Sequence, residues 1–166
     1  LYNQIITSVA VVGNAILLSA VAGTYIGERS KPHSTLDTYV YTTALTKAKF
    51  YPLTESRFLT CGTNATIYNV NFDENGVPTG IAHSLTVDNS SPNIVQPIKA
   101  TGEMMVLFTT RGVYYVVAAD GSSKTSVTLP TTVKNEIITS QESDGSWWAV
   151  GANGIRKISI EGTTAT

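Results

Sequence analysis

The residue types that most often do chemistry are sparse in this chain, and their spacing brings few of them together. Cys61 is the single cysteine, set in the strand-like run Phe58-Leu59-Thr60-Cys61-Gly62. One cysteine cannot form an internal disulfide framework, and this setting reads as a small buried hydrophobe. A nucleophilic thiol would need a histidine beside it. The two histidines, His33 and His83, lie in polar surroundings and lack metal-ligand spacing with each other or with Cys61. The acidic residues Asp73, Glu74, Asp88, Asp120 and Asp144 fall mostly in turn sequences, where a carboxylate accepts backbone N–H groups. Asp73-Glu74-Asn75-Gly76 opens like a calcium loop, but Val77 and Pro78 stand where further ligands would be needed. Arg29, Arg57, Arg111 and Arg156 are too scattered for an anion-binding arginine cluster. No phosphate-cradling glycine loop and no nucleophile elbow is present. A non-enzyme without metal or cofactor is expected.

Two aromatic doublets are the better candidates, and they point to binding. Neighbours on a strand face opposite sides, so in Trp147-Trp148 one ring packs inward and the other faces out or lies at an edge. An outward tryptophan offers a stacking platform for a sugar or an anchor for a protein partner. Tyr114-Tyr115 poses the same choice with less force. The aliphatic pairs Ile5-Ile6, Met104-Met105 and Ile137-Ile138 predict strands covered on both faces.

The chain that must position these residues has 166 of them, enough for one domain with a real core, and a single β-repeat domain over residues 1–166 is expected. Hydrophobic residues make up 42% and charged residues only 14%, against an average near ~25% in soluble domains. Thr and Ser fill the difference, and Thr favours strands. The net charge is −1 with no basic block, which argues against nucleic acid or an acidic membrane as partner. No initiator methionine opens the sequence, so an excerpt of a longer protein is expected. Residues 1–27 carry no charge, and Ile5 to Ile26 is long enough to cross a bilayer. Gln4, Thr7, Ser8, Asn14, Ser19 and Thr24 interrupt it, no basic segment precedes it, and Gly13-Asn14 splits it like a turn. No membrane span is expected.

Four blocks repeat one plan of strand, turn, strand, turn. They begin near residues 3, 56, 102 and 135. Further strands are expected in the intervening segments Thr38 to Thr43, Phe50 to Leu53 and Ile94 to Ala100. Asn75-Gly76, Asp120-Gly121, Asp144-Gly145 and Asn153-Gly154 each place a residue tolerant of positive φ before glycine, as two-residue hairpin loops need. A four-stranded propeller blade takes ~40–50 residues, which fits the block spacing.

The cleanest copy, Asp144 to Ile158, resembles the blade motif of bacterial regulator-type β-propellers: an Asp-Gly turn, a strand tryptophan, a glycine and an Asn-Gly turn. It departs from that motif by its second tryptophan. It is also similar to the Asp-box turn of sialidase-like propellers, although Asp144 and Gly145 are adjacent where that motif separates them. The resemblance implies blade architecture and carries no active site with it.

The expected fold is therefore all-β and β-propeller-like, with about four blades of antiparallel strands, alone or within a larger propeller; a β-sandwich is the alternative. In style the chain resembles bacteriophage tail and virion β-proteins. That implies a non-enzymatic structural or adhesive protein of the virion, assembling with other protein subunits into a homo- or hetero-oligomer. The second expectation is a ligand-binding or sensor propeller of a bacterial extracytoplasmic protein, extracellular or periplasmic, with a glycan as candidate ligand. A propeller glycosidase is third, because the arginines and carboxylates do not cluster.

Overall fold

A computed structural model describes residues 5–31, 40–43, 45–61, 64–89, 95–99, 104–109, 112–128, 137–138, 142–151, 154–161 and 164–165. The chain is all-β: strands form four sheets, and no helix occurs among the described residues. It divides into two compact units, Leu1–Asn89 and Ser90–Thr166. His33, Arg111 and Asn153 lie outside the described residues, as do Pro32, Pro92, Pro130 and the Gly62-Thr63 half of a turn expected there.

The N-terminal unit holds two four-stranded antiparallel meanders. The first is β1 (Ile6–Val12), β2 (Ala15–Ala20), β3 (Thr24–Glu28) and β4 (Val40–Thr42). The second is β5 (Lys49–Pro52), β6 (Arg57–Cys61), β7 (Ala65–Phe72) and β8 (Pro78–Asp88). The uncharged segment that could have spanned a bilayer thus forms three strands, and no described helix is long and apolar enough to cross a membrane. Its division is set by Gly13-Asn14, which joins Val12 to its partner Ala15 through a two-residue loop. Gly13 has φ +56°, as the first central residue of a type II′ hairpin turn requires.

The two sheets stack in matching order, β1 against β5, and β3 and β4 against β8. Between them lies one core of Val12, Leu17, Ile26, Phe50, Phe58 and Val70. An aromatic series crosses the second sheet with one ring per strand. Phe50 meets Phe58 edge-on at 5.4 Å, Phe58 stacks on Tyr68 at 5.9 Å, and Tyr68 meets His83 at 6.0 Å. Such pairs add about 0.5–1.5 kcal/mol each beyond area burial.

The link from β4 to β5 is held as firmly as a strand. Leu45 and Lys47 adopt positive φ, 59° and 54°, a conformation that costs a non-glycine residue ~1–2 kcal/mol. Hydrogen bonds over-determine it. The Leu45 carbonyl accepts from Ser19 Oγ at 3.3 Å and Thr24 Oγ1 at 3.2 Å, and the Lys47 N–H donates to the Ala20 carbonyl at 3.0 Å.

The second sheet is buried on both sides: Phe58 and Leu59, neighbours with opposite facing, are both fully buried. The first sheet is not. Ile5 and Ile6 are 69% and 40% exposed, and Val9 and Val11 follow at 60% and 43%. The expectation that Ile5-Ile6 marks a strand covered on both faces is therefore corrected. An apolar doublet records what each face could bury, while coverage depends on whether another element reaches it.

The C-terminal unit contains β9 (Val95–Lys99), β10 (Met104–Thr109), β11 (Val113–Ala118) and β12 (Lys124–Thr128) as a further antiparallel meander. β13 (Ile137–Ile138), β14 (Trp147–Gly151) and β15 (Gly154–Ile158) form a three-stranded sheet. The short strands β16 (Ile160–Glu161) and β17 (Thr164–Ala165) return to extend the first of these sheets beside β12. The side chains of Met104, Met105, Ile137 and Ile138 lie outside the described set.

The Asn-Gly and Asp-Gly turns depart from the two-residue form. Gly76, Gly121 and Gly145 have φ of 75°, 71° and 83°, but Asn75, Asp120 and Asp144 do not share the positive φ. Each glycine instead closes a longer turn. The Gly76 N–H donates to the Asp73 carbonyl at 3.0 Å while the Asp73 N–H donates to the Val77 carbonyl at 2.9 Å. Glu142, Gly145 and Ser146 repeat that pattern at 3.0 and 2.8 Å. A single left-handed glycine after a right-handed turn matches the strand twist as well as two left-handed residues do. The acidic side chains play the turn role expected of them. Asp73 Oδ1 accepts from the Asn75 and Val77 N–H groups, and Asp120 Oδ1 accepts from the Ser122 N–H, all at 2.9 Å.

Candidate functional site

The β14–β15 hairpin separates the two tryptophans as strand alternation demands. Trp147 is buried to 4% exposure, beside Ala149 and opposite its strand partner Ile158. Trp148 is 36% exposed and opposite Lys157. The next outward pair along the hairpin is Val150 and Ile155, 39% and 69% exposed. The outward face is thus a short apolar strip with a cation at one end.

That cation is held in place. Lys157 Nζ lies 5.9 Å from the centre of the Trp148 ring and donates to Asp144 Oδ2 at 2.5 Å. Asp144 is fixed in turn by its own loop, since its Oδ1 accepts from the Ser146 N–H at 3.0 Å and from Ser146 Oγ. The Lys157 ammonium, with the two Ser146 donors, holds the Asp144 carboxyl well below the usual carboxylate range. A depressed folded-state pKa contributes stability that is complete above about pH 4 and fades as the pH falls further. Both groups are exposed, so the gain is small. Lys157→Ala should move the Asp144 titration upward toward ordinary carboxylates, read by carboxyl carbon NMR. An unmoved titration would mean that the turn donors alone set it.

The buried tryptophan carries a polar debt, because Trp147 Nε1 has no hydrogen-bond partner. Burying an indole N–H unpaired costs about 1–3 kcal/mol. Of the tyrosine doublet, Tyr115 is half-buried, with Lys124 Nζ 5.3 Å from its ring centre. Both hairpins therefore lay a lysine over an aromatic ring. The Tyr114 side chain lies outside the described set.

The residues with enzymatic potential stay apart. Cys61 is buried and desolvation pushes its thiol up to about 12, which removes the thiolate a nucleophile needs. His83 Nε2 pairs with Thr86 Oγ1 at 2.8 Å, at the far end of the aromatic series. Arg57 Nε donates to Asn69 Oδ1 at 3.0 Å, across its own strand pair. No cluster of three metal-ligating side chains occurs among the described residues.

A second surface was not signalled by any motif. Val9, Leu18, Tyr25 and Tyr41 stand side by side on β1, β2, β3 and β4 and form a continuous row across the first sheet. Val9 and Tyr41 are exposed, and Leu18 and Tyr25 are half-exposed. Val11 and Ile16 begin a parallel row. The tyrosine rings lie 4.8 Å apart, and Tyr41 Oη donates to the Ala22 carbonyl at 2.7 Å, so the ring lies down on the sheet. The available signal was period-two alternation of apolar residues on both faces of β1 and β2. It reports the hydrophobicity of a face and is silent on its cover.

No family model matches the chain, and no curated protein matches it. Among solved structures, it is similar to a protein of unknown function from Bacteroides caccae, at 19% identity and a TM-score of 0.43. That match covers 99% of this chain and 60% of the Bacteroides chain, so the sequence spans well under two thirds of its neighbour's length.

Proposed function

We propose that this chain is a non-enzymatic β-propeller-type structural protein that acts by assembling with other protein subunits, in the manner of a bacteriophage tail or virion component. The observation that carries the reading is the row Val9–Leu18–Tyr25–Tyr41, an apolar face spanning four strands of one sheet. Contiguous exposed apolar surface of this kind marks interaction sites more often than isolated hydrophobic residues do. The low charge content and hydroxyl-rich strands fit a protein whose surface is spent on contacts with its own kind. The blade reading is supported by the matched stacking of the two N-terminal sheets, first strand on first and last on last. A link from an outer strand to the first strand of the next sheet is how propellers connect blades. Sedimentation velocity over rising concentration tests the assembly. Species heavier than a monomer are expected, and a strictly monomeric protein would overturn the reading.

A second reading, a ligand-binding propeller, is favoured by one feature. Trp148 is an exposed ring flanked by a fixed donor and acceptor, Lys157 and Asp144, a combination suited to stacking and hydrogen-bonding a sugar. Glycan-array binding lost in Trp148→Ala would support it, and an array without hits would remove it.

A further inference from the structure

Among the sheet edges of the N-terminal unit, one stands unguarded. An edge strand offers unpaired N–H and C=O groups to any other strand, so proteins blunt edges with lysine, proline, bulges or shortness. β5 carries Lys49 and Pro52, and its Phe50 N–H is taken by Ser8 Oγ at 3.3 Å. β8 begins at Pro78 and is broken by three register shifts against β7. β4 has only three residues. β1 has seven, contains neither proline nor charge, and pairs on one side only, with β2. Its single irregularity lies at the Ile6–Ser8 end, which leaves Ser8 to Val12 a regular strand.

We propose that the free edge of β1 pairs antiparallel with β1 of a second copy of this chain, joining two four-stranded sheets into one. This rests on the assembly reading above and names its partner and site. Three features select a second copy. The strand is self-complementary: a two-fold axis at Ala10 sets Val9 of one copy opposite Val11 of the other, twice, and brings no like charges together. Val9 and Val11, at 60% and 43% exposure, are β-branched residues that gain from such cross-strand neighbours. One open edge per unit also gives an isologous dimer that closes, whereas two would give an open fibre. The pairing makes the apolar row of one copy continuous with that of the other.

The test joins hydrodynamics to cross-linking. Wild type should pass from monomer to dimer with rising concentration in sedimentation velocity. Val9→Lys sets a charge on the edge at an exposed position and should raise the dimer Kd by about tenfold. Tyr41→Lys, on the same face but at the opposite edge, should leave the Kd unchanged. Mixed Val9→Cys and Val11→Cys proteins should form a disulfide-linked dimer under mild oxidation, with buried Cys61 silent in the wild-type control. Assembly that survives Val9→Lys, weakens with Tyr41→Lys and gives no cross-link would overturn the edge pairing and leave the assembly reading standing. A monomer at every concentration would overturn both.

Discussion

Phe58→Ala should cost the N-terminal unit about 3–5 kcal/mol, the largest loss expected from one side chain there. Phe58 is fully buried at the centre of β6. It is the middle of the aromatic series, edge-on to Phe50 and stacked on Tyr68, so its removal ends both contacts together. It also faces the first sheet, where Val12, Leu17 and Ile26 share its core. The cavity would open between two sheets whose backbones are held by their own ladders, and a hole that cannot collapse is the costly kind. The measurement needs a probe confined to the right unit. Both tryptophans lie in the C-terminal unit, so their emission is blind to this change. Hydrogen exchange of the β6 and β7 amides reads it directly, and protection reduced by less than about 1 kcal/mol would refute the central role of Phe58.

The second large effect concerns backbone. Gly13→Ala should destabilise by roughly 3 kcal/mol, from two causes that can be separated. Its φ of +56° alone costs an L-residue about 1–2 kcal/mol. A Cβ built there would also lie 2.2 Å from the Glu55 carbonyl oxygen, so the β1–β2 turn would be driven off the β5–β6 turn. The Asn14 Nδ2 bond to the Gly76 carbonyl, 3.0 Å long, would be strained by the same movement. Gly76→Ala is the matched control. Its φ is +75°, yet a Cβ there meets nothing within 4 Å, so only the conformational part should appear. Urea denaturation of the two variants gives the difference. Equal losses would show that the close approach to Glu55 carries no energy.

The strand plan was largely legible in the sequence. Thr38 to Thr43, Phe50 to Leu53 and Ile94 to Ala100, expected as strands between the blocks, contain β4, β5 and β9. The reason is local: β-branched and aromatic runs bounded by glycine, proline and short polar residues leave few other conformations open. Turn geometry was less legible. An Asx-Gly pair is compatible with several turns, and the distance between the flanking strands chooses among them. The 142–146 turn shows this, since β13 ends at Ile138 and β14 starts only at Trp147.

The candidate site divides the same way. Alternation alone determined that Trp147 and Trp148 face opposite sides, because a strand has no other choice. It could not determine which one is buried. That followed from the inward neighbours Ala149 and Ile158, and Lys157 was brought onto Trp148 and Asp144 by the β14–β15 register. The composition of β1 was likewise plain from its residues, but its place at a sheet edge with an open face was not. The sequence by itself determined an all-β chain, where its strands run and which residues could line a face. Tertiary structure alone decided which strands end a sheet, which faces are covered and which aromatic rings meet solvent. Strand formation depends on each residue and its near neighbours, whereas pairing and coverage depend on partners far along the chain.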